Sequence, residues 1–288
     1  MELELLDILS YMKKVGFESI NNEKVSSSSV LIAGAMDTEL NPLFKIVGKP
    51  KPHKLLDLFP LYKVSYKSLK LFIVQTFVGD VNASIAGFEA IRAVNPDCVI
   101  KFGVVGGSYP ESKAGDIIVP IGFFHRTAWI TRNKKTNKPS VNASEWQSIF
   151  GKLPYQVNSN NLGNIPYYFP VEQYLQDKCR KTLTKLDMNY ISAYIGGGNI
   201  WMFSKKVLNN VAATMLPQSS KHKRFVSDME SYSLAHASYI AKKPFMGCYV
   251  VASNDYLDEE YNPSSVSNQL SRLVPYVLDL VKSLTKKE

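Results

Sequence analysis

Six apolar, β-branched runs recur along the chain, each parted from the next by a longer segment. That alternation limits the architectures open to it. The runs are residues 30–33 "VLIA", 69–77 "LKLFIVQTF", 97–105 "DCVIKFGVV", 116–124 "DIIVPIGFF", 190–196 "YISAYIG" and 245–252 "FMGCYVVA". Between them, residues 82–94, 171–183 and 229–241 and the C-terminal "SNQLSRLVPYVLDLVKSL" carry the 3.6-residue periodicity of amphipathic helices. Strands this apolar are buried on both faces, so helices must cover both sides of the sheet. The expected fold class is α/β: a three-layer α/β/α sandwich around a central mixed, mostly parallel sheet. Residues 131–168 are polar, rich in Asn, Pro and Lys, and read as a long surface excursion, a lid or an oligomer contact.

The pattern divides the chain in two. Residues 1–29 form an N-terminal helical extension and linker, closing on "EKVSSSS", and residues 30–288 form a single domain large enough to bury a sizeable core. A formal charge of +9 invites a nucleic-acid reading. The lysines are scattered, however, and the clusters "RNKKTNK" and "KHKR" lack interleaved aromatics. The expectation is no nucleic-acid partner and a basic surface that attracts anionic solutes. No apolar stretch approaches the roughly 20 residues of a membrane span, and "MELELLDILSYMKK" lacks the basic start and apolar centre of a signal peptide. No membrane partner is therefore expected. Cys98, Cys179 and Cys248 show no metal or redox spacing, which points to a reducing, cytoplasmic setting without a metal.

In α/β sheets ligands gather beyond the carboxyl ends of strands, and four segments stand there. "GAMDTEL" carries Asp37 and Glu39, and "KFGVVGGSYPESKAGDIIVP" carries Gly106 and Gly107. "SDMESYSLAH" carries Asp228 and Glu230, and "VVASNDYLD" carries Asn254 and Asp255. Each has an ordinary structural reading. Acids at a helix start complement its dipole, Asp228 suits an N-cap, and Asn254-Asp255 suits a strand-ending turn. Singly, none is specific.

In this order the four segments resemble the purine nucleoside phosphorylase/uridine phosphorylase superfamily, and within it most closely the methylthioadenosine/S-adenosylhomocysteine nucleosidases. The resemblance runs from about residue 30 to the C-terminus, apart from the 131–168 excursion. It implies a purine nucleosidase that hydrolyses an N-glycosidic bond and uses no cofactor. The catalytic residues implied are Asp255, which protonates or hydrogen-bonds purine N7, and Glu39, which activates the attacking water. Glu230 falls at the ribose-hydroxyl acceptor and Met229 beneath the sugar. Trp201 falls where an aromatic side chain stacks on the base, and Met202 where main-chain groups read the purine edge. Met36 and Val78 fall on the wall of the ribose and 5′-substituent pocket. Gly107 and Asn254 complete the implied substrate-binding set.

The alternatives are a phosphorylase, with phosphate as co-substrate, and a catalytically silent binding relative. A phosphorylase needs cations and hydroxyls around its anion. Here the first turn offers Asp37 and Glu39, Val104 has no donor, and Lys101 is the one cation left at the Gly-rich strand. The resemblance also implies a homo-oligomer, with "GFFHRTAWI" in a chain-to-chain contact. There His125 matches a contact histidine and Arg126 replaces an acid.

Overall fold

The computed structural model describes residues 29–149, 168–216 and 223–285. The expected apolar runs become strands β1 (Ser29–Gly34), β4 (Leu69–Gln75), β5 (Cys98–Gly107), β6 (Ile117–His125), β10 (Tyr190–Gly197) and β12 (Phe245–Asn254). Strands β2 (His53–Leu55), β3 (Phe59–Tyr66), β9 (Tyr168–Pro170) and β11 (Phe225–Asp228) complete the main sheet. Its order is β11-β10-β6-β12-β5-β1-β4-β3-β2, with β9 on β6. Parallel pairings run through β4, β1, β5 and β12 and again through β6, β10 and β11. Antiparallel pairings join β12 to β6 and build the β2–β3–β4 edge.

One closure goes beyond an open sandwich. Val226 and Ser227 of β11 pair antiparallel with Gly107 and Gly106 of β5, so β5, β12, β6, β10 and β11 form a ring. Four-residue β11 is too short to show periodicity, and nothing in the sequence announces that it bridges two distant strands.

The helices form two groups against the sheet. α1 (Asp37–Val47) and α3 (Gln173–Lys185) pack on α6 (Pro263–Thr285), while α2 (Asp80–Val94) packs on α5 (Ser231–Ile240). α6 buries Leu270, Leu273, Val274, Val277, Leu280 and Val281, the three-to-four spacing of a single apolar stripe. Short α4 (Lys205–Thr214) escaped the sequence reading, as did β3. In β3 the outward Lys63 and Ser65 interrupt the continuous apolar run by which the other strands are recognised.

The described part of the 131–168 excursion is ordered into a small hairpin. Strands β7 (Trp129–Asn133) and β8 (Trp146–Ser148) pair antiparallel. Asn133 Nδ2 donates to Glu145 Oε2 at 2.7 Å, and Trp146 Nε1 donates to the Ser140 carbonyl at 2.7 Å. The expected N-terminal helix and the remainder of the excursion lie outside the described residues. No helix among the described residues is long and apolar enough to cross a membrane.

Leu280, fully buried in α6, tests this packing. Leu280→Ala is expected to cost about 2–5 kcal/mol of unfolding free energy, read as a lowered urea midpoint at unchanged slope.

Candidate active site

β1 ends at Gly34, and α1 begins three residues later, which leaves the first amides of the helix without intrahelical acceptors. Glu39, in the first turn and buried, turns back to meet that shortage. Its Oε2 accepts from the Ala35 amide at 2.7 Å and the Met36 amide at 3.2 Å. Its Oε1 accepts from the Val104 amide of β5 at 3.0 Å. The fourth donor is Lys101, also on β5 and 0% exposed. Its Nζ lies 3.2 Å from Glu39 Oε2 and 3.4 Å from Oε1.

Lys101 Nζ also lies 3.8 Å from Glu230 Oε2. Glu230 sits just before α5, and its Oε1 accepts from the Gly79 amide at 3.0 Å. Asp228, at the end of β11, is not the N-cap the sequence suggests, because Glu230 holds that position; Asp228 accepts from the Ser231 amide at 3.1 Å and from the Ser231 hydroxyl. Burial alone would lower the Lys101 pKa. Glu39, Glu230 and Asp228 together outweigh it and raise the pKa, so the ammonium is retained. Burial pushes the Glu230 carboxyl up to about 8, with Lys101 opposing and Asp228 and Glu39 adding to the rise. Burial likewise raises Asp228.

The second carboxylate centre follows β12. Asp255 receives Ser253 Oγ and Ser227 Oγ, each at 3.4 Å. Burial raises its pKa against the lowering influence of Trp201 and Arg126, which suits a proton donor. Both carboxylates occupy gaps in β5. A Cβ at Gly103 would strike the Glu39 carboxylate and Lys101 Nζ, and one at Gly106 would strike the Asp255 carboxylate. The two gaps are three residues apart, roughly 10 Å of extended strand.

A cavity of about 290 Å³ joins these centres, close to the lower end of small-molecule sites. Of the sequence-expected residues, Met36, Glu39, Val78, Trp201, Met229, Glu230 and Asp255 line it. Gly107, Met202 and Asn254 do not. The Cα of Gly107 faces Ser112, and Met202 packs in a core cluster with Phe124 and Phe225. Asn254 braces the turn that carries Asp255. Its Nδ2 donates to the Ser112 carbonyl at 2.7 Å, and its Oδ1 accepts from the Leu257 amide at 3.1 Å.

Sequence reasoning missed Ser227, Ser253 and Tyr261, small or commonplace residues that carry no signal of their own, and Arg126. The resemblance placed Arg126 in a contact between chains. The structure instead buries it in the cavity wall. A charged residue following the apolar run "GFFH" was the available clue.

The family model described as Phosphorylase superfamily matches residues 29–286. The chain belongs to this superfamily. Among curated proteins it is similar to the 5'-methylthioadenosine/S-adenosylhomocysteine nucleosidase of Buchnera aphidicola subsp. Acyrthosiphon pisum, with 24% identity over 252 residues, covering 86% of this chain and 96% of that one. Among solved structures, the 5'-methylthioadenosine/S-adenosylhomocysteine nucleosidase of Neisseria meningitidis in complex with methylthio-immucillin-A superposes with a TM-score of 0.66 at 18% identity, covering 87% and 98% of the two chains. The futalosine hydrolase of Helicobacter pylori superposes with a TM-score of 0.65 at 16% identity, covering 90% and 97%. These likenesses confirm the superfamily fold over the described sheet and helices.

Two outcomes follow from the site. Gly106→Ala is expected to lower turnover by about 10²-fold or more, because the added methyl displaces Asp255; the thermal transition should remain cooperative. Glu230 also links stability to pH. Its folded pKa stands at about 8 against an ordinary 4.5, so within that window the folded state holds the proton that the unfolded state has released. The Glu230 contribution to stability therefore falls as pH rises from about 5 to 8. Urea midpoints should show that decline in the parent protein and a flatter profile in Glu230→Gln.

Proposed function

We propose that the protein is a purine nucleosidase, hydrolysing the N-glycosidic bond of a purine nucleoside and releasing the free base. The names of its nucleosidase relatives, 5'-methylthioadenosine and S-adenosylhomocysteine, indicate the substrate class. The observation that carries water rather than phosphate as nucleophile is the state of Lys101. Lys101, the cation of the Gly-rich strand, is bound to Glu39 and faces Glu230. An anion in that corner would meet the Glu39 carboxylate, with the ammonium beside it already engaged.

Cleavage builds positive charge on the ribose and negative charge on the departing purine. Asp255, its pKa raised by burial, delivers a proton or hydrogen bond to N7 and makes the base a better leaving group. Glu39 orients and deprotonates the attacking water. Glu230 accepts from the ribose hydroxyls while Met229 packs beneath the ring, and Met36 and Val78 wall the 5′ side. Trp201, exposed at the mouth and stacked on Phe203, covers the base. The scheme is that of an inverting glycosidase, with water held between a carboxylate and the sugar.

The reaction uses no metal or cofactor, and the protein works in the reducing cytoplasm with its three cysteines free and buried. A second copy of the chain is the partner. Val81 and Ile85 of α2 and Tyr239 and Ile240 of α5 are exposed apolar residues on two helices that pack together, a surface suited to self-association.

Asp255→Asn and Glu39→Gln should each lower base release from a panel of purine nucleosides by about 10²–10⁴-fold, with circular dichroism unchanged. Near-parental turnover in either variant overturns the assignment.

A further inference from the structure

Gly106 of β5 stands between two serines in register. The ring closure sets Ser227 of β11 opposite it on one side, and β12 sets Ser253 opposite it on the other. Neither neighbour follows from a regular sheet. β11 reaches β5 through Val226 and Ser227, pairing antiparallel. In β12 the register shifts between Val251, opposite Val105, and Ser253, opposite Gly106. An uninterrupted strand would place Ala252 opposite Gly106 and turn Ser253 to the other face. Residues directly opposite one another share a face of the sheet. Two hydroxyls therefore flank the gap that Gly106 leaves, and that gap holds the Asp255 carboxylate.

The hydroxyls divide the carboxylate between them. Ser253 Oγ donates to Asp255 Oδ1 and Ser227 Oγ to Asp255 Oδ2, each at 3.4 Å. Ser108 Oγ in turn donates to Ser227 Oγ at 3.2 Å. A hydroxyl has one proton to give, and a Ser227 that accepts from Ser108 can direct its own at Asp255. All four side chains are buried, and Ser227, Ser253 and Asp255 line the cavity. Each contact to Asp255 is long for a hydroxyl donor, so the pair of serines, rather than either alone, fixes the group.

We propose that Ser227 and Ser253 are positioning residues, a two-hydroxyl clamp that holds the Asp255 carboxyl over Gly106 with one donor on each oxygen. The clamp sets the plane of the carboxyl and favours its ionised form, which is the form left once a proton has passed to the departing base. Burial raises the Asp255 pKa, and both hydroxyls are among the groups that oppose the rise. The inference rests on the nucleosidase reading only for the task of Asp255 as proton donor.

The test titrates full-length protein containing carboxyl-labelled aspartate by carbon NMR, with the Asp255 signal assigned by its loss in Asp255→Asn. Ser227→Ala and Ser253→Ala remove the hydroxyls; Ser227→Cys and Ser253→Cys keep the volume but offer only a weak donor. Each is expected to raise the Asp255 midpoint by roughly 0.3–1 pH unit. The Cys variants should follow the Ala variants, which a packing role would not produce, and they carry the reading if an Ala variant fails to fold. Glu39, Arg126, Asp228, Glu230 and Tyr261, the titratable groups that share the cavity, are unchanged throughout, so a shift reports the hydroxyl. In base release, the descending limb of kcat/KM should move to higher pH with the midpoint, because Asp255 acts in its protonated form. An unmoved midpoint at either serine overturns the clamp and leaves the nucleosidase reading standing. Raised midpoints in a protein that cleaves no nucleoside support the clamp and overturn the hydrolytic assignment.

Discussion

The site is organised around a buried ammonium. Removing Lys101 from water costs several kcal/mol unless opposite charge and hydrogen bonds compensate, and the chain brings the compensation from three elements. α1 contributes Glu39, the segment before α5 contributes Glu230, and the end of β11 contributes Asp228. Neither side of the arrangement stands without the other, because the Glu39 carboxylate is itself buried and would otherwise lack its counter-charge. A lysine in this position of a phosphorylase-type scaffold reads naturally as an anion ligand. Its pairing here assigns it the opposite task, holding two carboxylates in a corner where water is the compatible nucleophile.

The second constraint is the backbone of β5. Gly103 and Gly106 leave the two gaps into which the Glu39 and Asp255 carboxylates fit, and the Val104 amide between them fixes Glu39. The ring closure through β11 brings Ser227 against Asp255 while Asp228, the next residue, accepts from Ser231 at the start of α5. One strand thus spaces the Glu39 and Asp255 ends of the cavity. One short cross-connection ties the second end to the start of α5, just after Glu230.

Much of this was legible in the sequence because its physics is local. β-branched runs and 3.6-residue spacing announce the strands and helices, and the acids Glu39, Glu230 and Asp255 stand beside recognisable strand ends. What stayed hidden depends on distant pairing. Nothing near Lys101 in sequence says that its Nζ meets Glu39, 62 residues away. Arg126 looked like a surface departure because its carbonyl partners, Gly196 and Gly198, lie about seventy residues further on. Asn254 stands beside the cavity-lining Asp255 and serves the turn rather than the cavity. Met202 follows a mouth residue and turns into a core cluster. Adjacency in sequence located the site; only the fold assigned each side chain to one side of the wall.

The central claim is that Lys101 is spent on carboxylates, so that water attacks the sugar. It is tested most directly by turnover of a purine nucleoside in heavy-oxygen-labelled water, with and without added phosphate, followed by mass analysis of the sugar product. The account predicts a free sugar carrying one heavy oxygen at C1, formed at the same rate in either condition. A sugar 1-phosphate, or turnover that requires phosphate, would contradict it.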